Sequence, residues 1–375
     1  MSNAPKDRKE DFLHHKLNER KAADAFRRLK LTAGLVDFCS NDYLGIVKNG
    51  LLETAVAGAQ YRHGSTGSRL LSGNYQLAEE TEAFIAAFHD AEAALIFNSG
   101  YDANTGLLSC VPQRDDTILY DALSHASIRD GVRLSFAKSF SFAHNDVDDL
   151  EKKIQSVQGQ VFVVTESVFS MDGDCAPLQE MVALCERYGC HLIVDEAHAT
   201  GVIGDKGEGL VQHLQLQDHC FARVHTFGKA VGCHGAAVTG SKTLREYLVN
   251  FARPFIYSTA LPEASMAAIL NAYKLFPDMH AEREKLHELV SAFGALSARL
   301  SAHEVLKSET PIQAIIIPGN EAVKKVSKTL LDAGMDVRPI LYPTVPKGRE
   351  RLRIVLHSFN TKEQLAAIAN KLIAH

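Results

Sequence analysis

The sequence predicts an α/β protein: a mainly parallel sheet covered on both faces, followed by a smaller α/β unit. Three observations point there. From about residue 80, short β-branched runs alternate with amphipathic helical stretches. The runs are apolar at nearly every position, as strands buried on both faces are. Between VFVVTES (161–167) and HLIVDEA (191–197), a helix opens at Pro177 and stops at Gly189. That succession of strand, crossover helix and strand builds a parallel sheet.

The elements follow in order. Residues 1–30 read as a charged helix whose thin stripe of Leu13, Leu17 and Phe26 has to dock on something else. AEETEAFIAAFHD (78–90) is an amphipathic helix. DTILYD (116–121), VFVVTES, HLIVDEA, RVHTFG (223–228) and AAVTG (236–240) are buried strands. HAEREKLHELVSAFGALSARL (280–300) is a long helix. The second unit then reads as QAIIIP (313–318), a helix over 321–334, MDVRPI (335–340), RLRIVLH (351–357) and a last helix from Thr361. A boundary near 275–285 gives three parts: an N-terminal helix and arm (1–45), a large domain (46–280) and a small C-terminal domain (281–375).

Composition narrows the function. At ~150 residues per domain, 375 residues suffice for two or three compact units with sizeable cores. Forty basic and forty-five acidic residues leave a net charge of −5, which argues against a nucleic-acid or membrane-surface binder. The cysteines number seven, and the closest pair, Cys185 and Cys190, matches neither a zinc ribbon nor a redox dithiol. Reduced thiols, and no metal, are expected. No apolar run approaches the ~20 residues of a membrane span. The first thirty residues hold five acids and no apolar stretch of signal-peptide kind, so the expected location is the cytoplasm.

Ligands of open parallel sheets sit beyond the carboxyl ends of the strands. There the sequence places Asp121, Ser124 and His125; Glu166, Ser167 and Ser170; Asp195 and His198; and Thr226 and Lys229. Ser99, Gly100 and Tyr101 stand at a helix start. Each alone fits a blander role: a strand-end Asp caps a turn, a lone His is core or surface, a lone Lys is solvated. Order and spacing join them. Asp195-x-x-His198 is followed, thirty-one residues on, by Thr226-x-Gly228-Lys229. A lysine with small and apolar flanks can lose its proton and form a Schiff base. A buried Asp can hold a proton on a pyridine nitrogen. His198 can bond the ring's phenolic oxygen, and His125 can lie over the ring. Hydroxyls and N–H groups at a helix start can hold a phosphate. Together these groups describe a site for pyridoxal 5′-phosphate. No P-loop, GxGxxG, HExxH or GxSxG competes.

At these residues the chain resembles the α-oxoamine synthase family of pyridoxal-phosphate enzymes, of fold type I. Ten blocks in order carry the likeness: SNDYLG (40–45), GSTGSRLLSGN (64–74), SGYDAN (99–104), LSHASI (123–128), FAHNDV (142–147), TESVFSMDGD (165–174), VDEAHATGVIG (194–204), HTFGKAVGCHGAAV (225–238), FIYSTALP (255–262) and PTVPKGRERLRI (343–354). FAHNDV, Ala236–Ala237–Val238 and PTVP favour the branch that joins L-alanine to a pimeloyl thioester, a transferase of biotin biosynthesis.

The resemblance implies a large domain with a mainly parallel seven-stranded sheet, and a smaller C-terminal α/β domain. It also implies a homodimer with shared active sites. It gives Lys229 the cofactor linkage and then the proton at the amino acid's Cα. Asp195 pairs with the pyridine nitrogen, His198 with the ring oxygen, and His125 stacks on the ring. Glu166 and Ser170 lie beside the cofactor. Ser99, Gly100, Tyr101 and Thr226 approach the phosphate. Ser258 and Thr259 reach the neighbouring subunit's phosphate. Arg353 takes the amino-acid carboxylate and Asn41 sits near the substrate. Ser68, where the glycine-restricted branch carries threonine, leaves room for an alanine methyl. Arg27 matches an arginine near the acyl chain's far carboxylate; a solvated helix face would leave it idle, and both readings stand. Ala78 and Glu263 depart from the family pattern in the substrate pocket. The acyl donor is pimeloyl-CoA or a pimeloyl-carrier protein. The rival branches are 2-amino-3-ketobutyrate CoA ligase and serine palmitoyltransferase, and the remote rival is a non-catalytic dimeric module of this fold.

Overall fold

The computed structural model describes residues 9–29, 31, 34–55 and 60–373. Two compact units emerge. One comprises Ser40–Glu288 with His357–Phe359; the other gathers the residues up to Cys39, Leu289–Leu356 and those from Asn360 onward.

The larger unit is built on a seven-stranded sheet. Its strands are β1 (Ala93–Phe97), β2 (Thr117–Asp121), β3 (Lys138–Phe142), β4 (Val161–Glu166), β5 (His191–Asp195), β6 (Ala222–Thr226) and β7 (Ala236–Gly240), in the order β1-β7-β6-β5-β4-β2-β3. Only β7 runs against its neighbours, pairing antiparallel with β1 and β6. From β6 through β3 every pairing is parallel. Asp121, Glu166, Asp195 and Thr226, the last residues of four such strands, therefore share one edge of the sheet.

The apolar runs divide their side chains between two cores. Phe162, Val164 and Ile193 face a core with Ala103, Leu107 and Leu108 of helix Gly100–Cys110 and Ile128 and Val132 of helix Ala126–Leu134. Val161, Val163, Leu192 and Val194 face the other core, with Met181, Val182 and Cys185 of helix Leu178–Tyr188. Period two along a strand with apolar residues on both sides gives the continuous runs seen in the sequence. Truncating a buried Ile such as Ile193, in a strand closed on both faces, costs about 2–5 kcal/mol. Gly189 ends helix Leu178–Tyr188 in the left-handed region at φ 67°, where a Cβ would strain the turn.

The smaller unit holds a four-stranded antiparallel sheet, β10-β11-β9-β8, of β8 (Glu304–Val305), β9 (Ile312–Ile316), β10 (Arg338–Ile340) and β11 (Arg351–Val355). Helices Asn320–Asp332 and Lys362–Ile373 belong to it. The expected MDVRPI strand is two short pieces, Met335–Asp336 pairing in parallel with Val36–Asp37, and β10 pairing with β11.

The N-terminal expectation needs correction. The helix covers Asp11–Ala22, not 1–30, and buries none of its residues. Residues 1–8 and 30 lie outside the described ones. Leu13 and Leu17 are exposed, and Phe26 comes after the helix has ended, so the three do not form one docked stripe.

Candidate active site

A cavity of about 240 Å³ opens where the parallel strands end. Its walls include Asn41, Ser99, Gly100, Tyr101, His125, Glu166, Asp195, His198, Thr226 and Lys229. All belong to the larger unit. Ten of the residues singled out in the sequence are thus gathered around one space.

Asp195 ends β5 and is almost fully buried. One carboxylate oxygen takes the Ala197 N–H at 2.9 Å and the other takes the Asn104 amide at 2.7 Å. The same Asn104 nitrogen donates to Ser127 Oγ at 3.0 Å. Ser127 Oγ lies 2.8 Å from His125 Nδ1, which also accepts the Ser127 N–H at 3.2 Å. An Nδ1 that accepts a backbone N–H is unprotonated, so the Ser127 hydroxyl donates to it and the ring proton sits on Nε2. Burial lowers the His125 pKa and keeps that ring neutral. Asn104 and Ser127 therefore link the aspartate to the histidine in one chain of hydrogen bonds.

His198 stands three residues beyond Asp195 on a tight turn, with the Ala199 and Thr200 N–H groups both reaching Glu196 O. Its Nδ1 meets the Tyr43 hydroxyl at 2.7 Å, and that hydroxyl also lies 3.3 Å from Asn41 Oδ1. Lys229 rides on the loop between β6 and β7. The bonds Gly232 N–H to Lys229 O and Cys233 N–H to Phe227 O close that loop. Lys229 Nζ donates to Thr226 Oγ1 at 3.4 Å.

Helix Gly100–Cys110 starts at the cavity. Ser99 caps it, accepting the Asp102 N–H at 3.0 Å. A Cβ on Gly100 would sit 2.3 Å from Thr226 Cγ2, so only glycine lets the helix start lie against β6. The Tyr101 hydroxyl donates to Asp130.

The cavity wall sets two carboxyl groups side by side. Glu166 pairs in register with Asp195 and accepts the His125 N–H at 2.6 Å. Burial, and then the Asp195 charge, push its pKa up to about 8. A helix N-terminus for an anion, two crowded carboxyl groups that a cationic ring would relieve, and an amine on a loop fit pyridoxal phosphate.

Other expected residues lie elsewhere. Ser170 is half-buried in the turn after β4, off the cavity wall. Ser258 and Thr259 line a separate pocket with Arg69 and Asn98. Ser68 is in the loop before helix Gln76–Phe88, its carbonyl taking the Leu71 and Gly73 N–H groups. Arg353 is on β11 of the smaller unit, between Ala314 and Arg338 across the strands. Arg27, also in that unit, donates to Thr344 Oγ1 at 3.2 Å and lines a cavity with Phe26, Arg28 and Lys324. It lies beyond the end of the helix, so a helix face does not describe it. Sequence reasoning missed Tyr43, Asn104 and Ser127. All three stand inside quoted blocks, but nothing in their spacing marks a neutral side chain as a brace for a charged one.

The aminotransferase class I and II family model matches residues 33–372. An 8-amino-7-oxononanoate synthase of Emericella nidulans is 42% identical, the match covering 92% of this chain and 91% of that protein. One from Citrifermentans bemidjiense is 43% identical, covering 88% and 86%. Among solved structures, a serine palmitoyltransferase of Sphingomonas wittichii superposes with a TM-score of 0.86 at 27% identity, over 99% of this chain and 98% of that one. An 8-amino-7-oxononanoate synthase of Francisella tularensis gives 0.77 at 29% identity, over 91% and 97%. The chain belongs to the aminotransferase class I and II family, as a pyridoxal-phosphate-dependent transferase of fold type I akin to the 8-amino-7-oxononanoate synthases.

Proposed function

We propose that the protein condenses L-alanine with a pimeloyl thioester to give 8-amino-7-oxononanoate for biotin synthesis. A bond forms between alanine's Cα and the acyl carbon, the thiol departs, alanine's carboxylate leaves as CO₂, and a proton takes its place. The observation that carries the reading is the convergence of Asp195, His125, His198 and Lys229 on one cavity, in a chain 42% identical to a synthase of that name.

Pyridoxal phosphate, when bound, supplies a ring that accepts the electron pair from the amino acid's Cα. The chain does the rest. Helix Gly100–Cys110 would offer its first N–H groups and its dipole to the phosphate. Asp195, braced by Ala197 and Asn104, holds a proton on the pyridine nitrogen. His198, braced by Tyr43, holds the phenolic oxygen. His125 would cover the ring, and Ser127 fixes which nitrogen carries its proton. Lys229 Nζ is the cofactor's anchor and then takes and returns the proton at Cα. Arg353 grips the amino-acid carboxylate, which selects the bond that breaks. Asn41 lies near the substrate, Ser68 leaves room for an alanine methyl, and Arg27 answers the distal carboxylate of the acyl chain. The enzyme works as a homodimer, with Ser258 and Thr259 serving the partner's phosphate. Among the described residues no helix is long and apolar enough to cross a membrane, and the proposed location is the cytoplasm.

One assay decides among the branches: kcat/KM for alanine with pimeloyl-CoA or a pimeloyl-carrier protein, for glycine with acetyl-CoA, and for serine with palmitoyl-CoA. The fold likeness to serine palmitoyltransferase makes the last pair necessary. Alanine with a pimeloyl donor gives the highest value. A higher value for glycine or serine with its partner overturns the assignment.

A further inference from the structure

His144 stands outside the cavity wall, in the loop after β3, yet two loops that carry active-site residues fasten to it. Its Nδ1 lies 2.9 Å from Asp121 Oδ1 and its Nε2 lies 2.7 Å from Asp174 Oδ2. Ionised carboxylates only accept, so both ring nitrogens donate and the ring is an imidazolium. Asp121 ends β2, is fully buried, and also takes the Leu123 N–H at 2.7 Å and the Asn145 N–H at 2.9 Å. Four residues beyond it is His125, whose own N–H donates to Glu166. Asp174 closes the turn that follows Glu166 and contains Ser170. Its carbonyl takes the Phe169 N–H at 2.9 Å, and its carboxylate takes the Asn145 amide at 2.8 Å. Phe169 in that turn meets the His144 ring edge-to-face, 4.4 Å between centroids.

We infer that His144 is a positioning residue: as an imidazolium it pins the β2 loop leading to His125 against the β4 turn that starts at Glu166, and so holds that side of the active site in its working shape. The inference rests on reading the cavity as the active site. The charged groups facing His144 are Asp121, from the end of β2, and Asp174, from the β4 turn; Asn145 and Phe169 are neutral. Burial disfavours the charged ring, but the bonds to the two carboxylates outweigh it and push the His144 pKa up to about 9. A raised folded-state pKa on a base gives support that is complete below 6.5, its ordinary value, and is lost as pH rises through about 9.

Replacing His144 outright strands the buried Asp121 charge and threatens folding. Asp174→Asn is the sharper variant, because it keeps the Asp121 pair. In the parent and the Asp174→Asn holoenzymes, two quantities are followed from neutral pH to about pH 10: alanine-dependent kcat, and hydrogen-exchange protection of residues 121–125 and 166–176. In the parent, protection and kcat fall together as the pH passes about 9. In Asp174→Asn both falls move roughly one unit lower, the size of a lost neighbouring charge, and at neutral pH the KM for alanine changes less than kcat. Exchange or kcat profiles that coincide for the two proteins overturn the inference. A parent without alanine turnover overturns the functional reading instead, and exchange alone then decides the clamp.

Discussion

Glu166 shows what a single buried residue does to the energetics of this site. Its folded-state pKa of about 8 against an ordinary 4.5 means that the folded chain keeps a proton the unfolded chain releases. The stabilisation is complete below about 4.5 and is lost as pH rises through about 8. Glu166→Gln cannot release that proton. In protein stripped of cofactor, the parent's Tm therefore falls relative to the variant's between about pH 5 and pH 8. Parallel Tm curves over that range refute the assignment. Asp195 owes its place to neutral neighbours: Ala197 N–H and Asn104 each occupy one oxygen, and Asn104 passes the restraint through Ser127 to His125. The charged and nucleophilic members of this set were legible in the sequence, because strand-end Asp, His and Lys at fixed spacing are rare together. Asn104, Ser127 and Tyr43 were not, because a bracing amide or hydroxyl has the same composition as any turn or helix residue.

At the scale of elements, the site depends on how closely helix Gly100–Cys110 approaches β6. The Cβ that Gly100→Ala introduces would lie 2.3 Å from Thr226 Cγ2, so helix start and strand must part. Overpacking of this kind costs about 1–3 kcal/mol, and it moves the N–H groups proposed to hold the phosphate. The expected result for Gly100→Ala is weaker cofactor affinity with a lowered Tm. Thr226→Ser removes the opposing methyl, so the double variant recovers most of both losses. A double variant no better than Gly100→Ala contradicts the steric account. The strands that sequence reading found, β2 and β4 to β7, are those with apolar runs. It missed two. β3 (KSFSF) is an edge strand, exposed at four of its five positions, so it lacks the buried run. β1 (AALIF) is buried throughout but follows a helix closely in an alanine-rich stretch, with only His89–Asp90 turning between them, so its short apolar run reads equally well as more helix. β7 was read as a strand, but a strand's direction leaves no trace in a five-residue run.

Across the molecule, the fold class was readable because covered parallel strands impose long apolar runs and a helix between each pair. The extent of the N-terminal helix was not. A charged segment with three scattered apolar residues satisfies helical spacing whether or not anything packs on it, and here the helix ends at Ala22 before Phe26 and Arg27. The roles given to Arg27, Arg353, Ser258 and Thr259 come from the family's pattern, because an arginine or a hydroxyl at or near the surface says little by itself about what it binds. The whole account turns on Lys229 being the amine that holds the cofactor, with Asp195 in the same cavity. Borohydride reduction of the purified holoenzyme, followed by peptide mapping, tests this most directly. A phosphopyridoxyl group fixed on Lys229 is the expected result; its attachment to a different lysine, or to none in a protein that still makes product, contradicts the account.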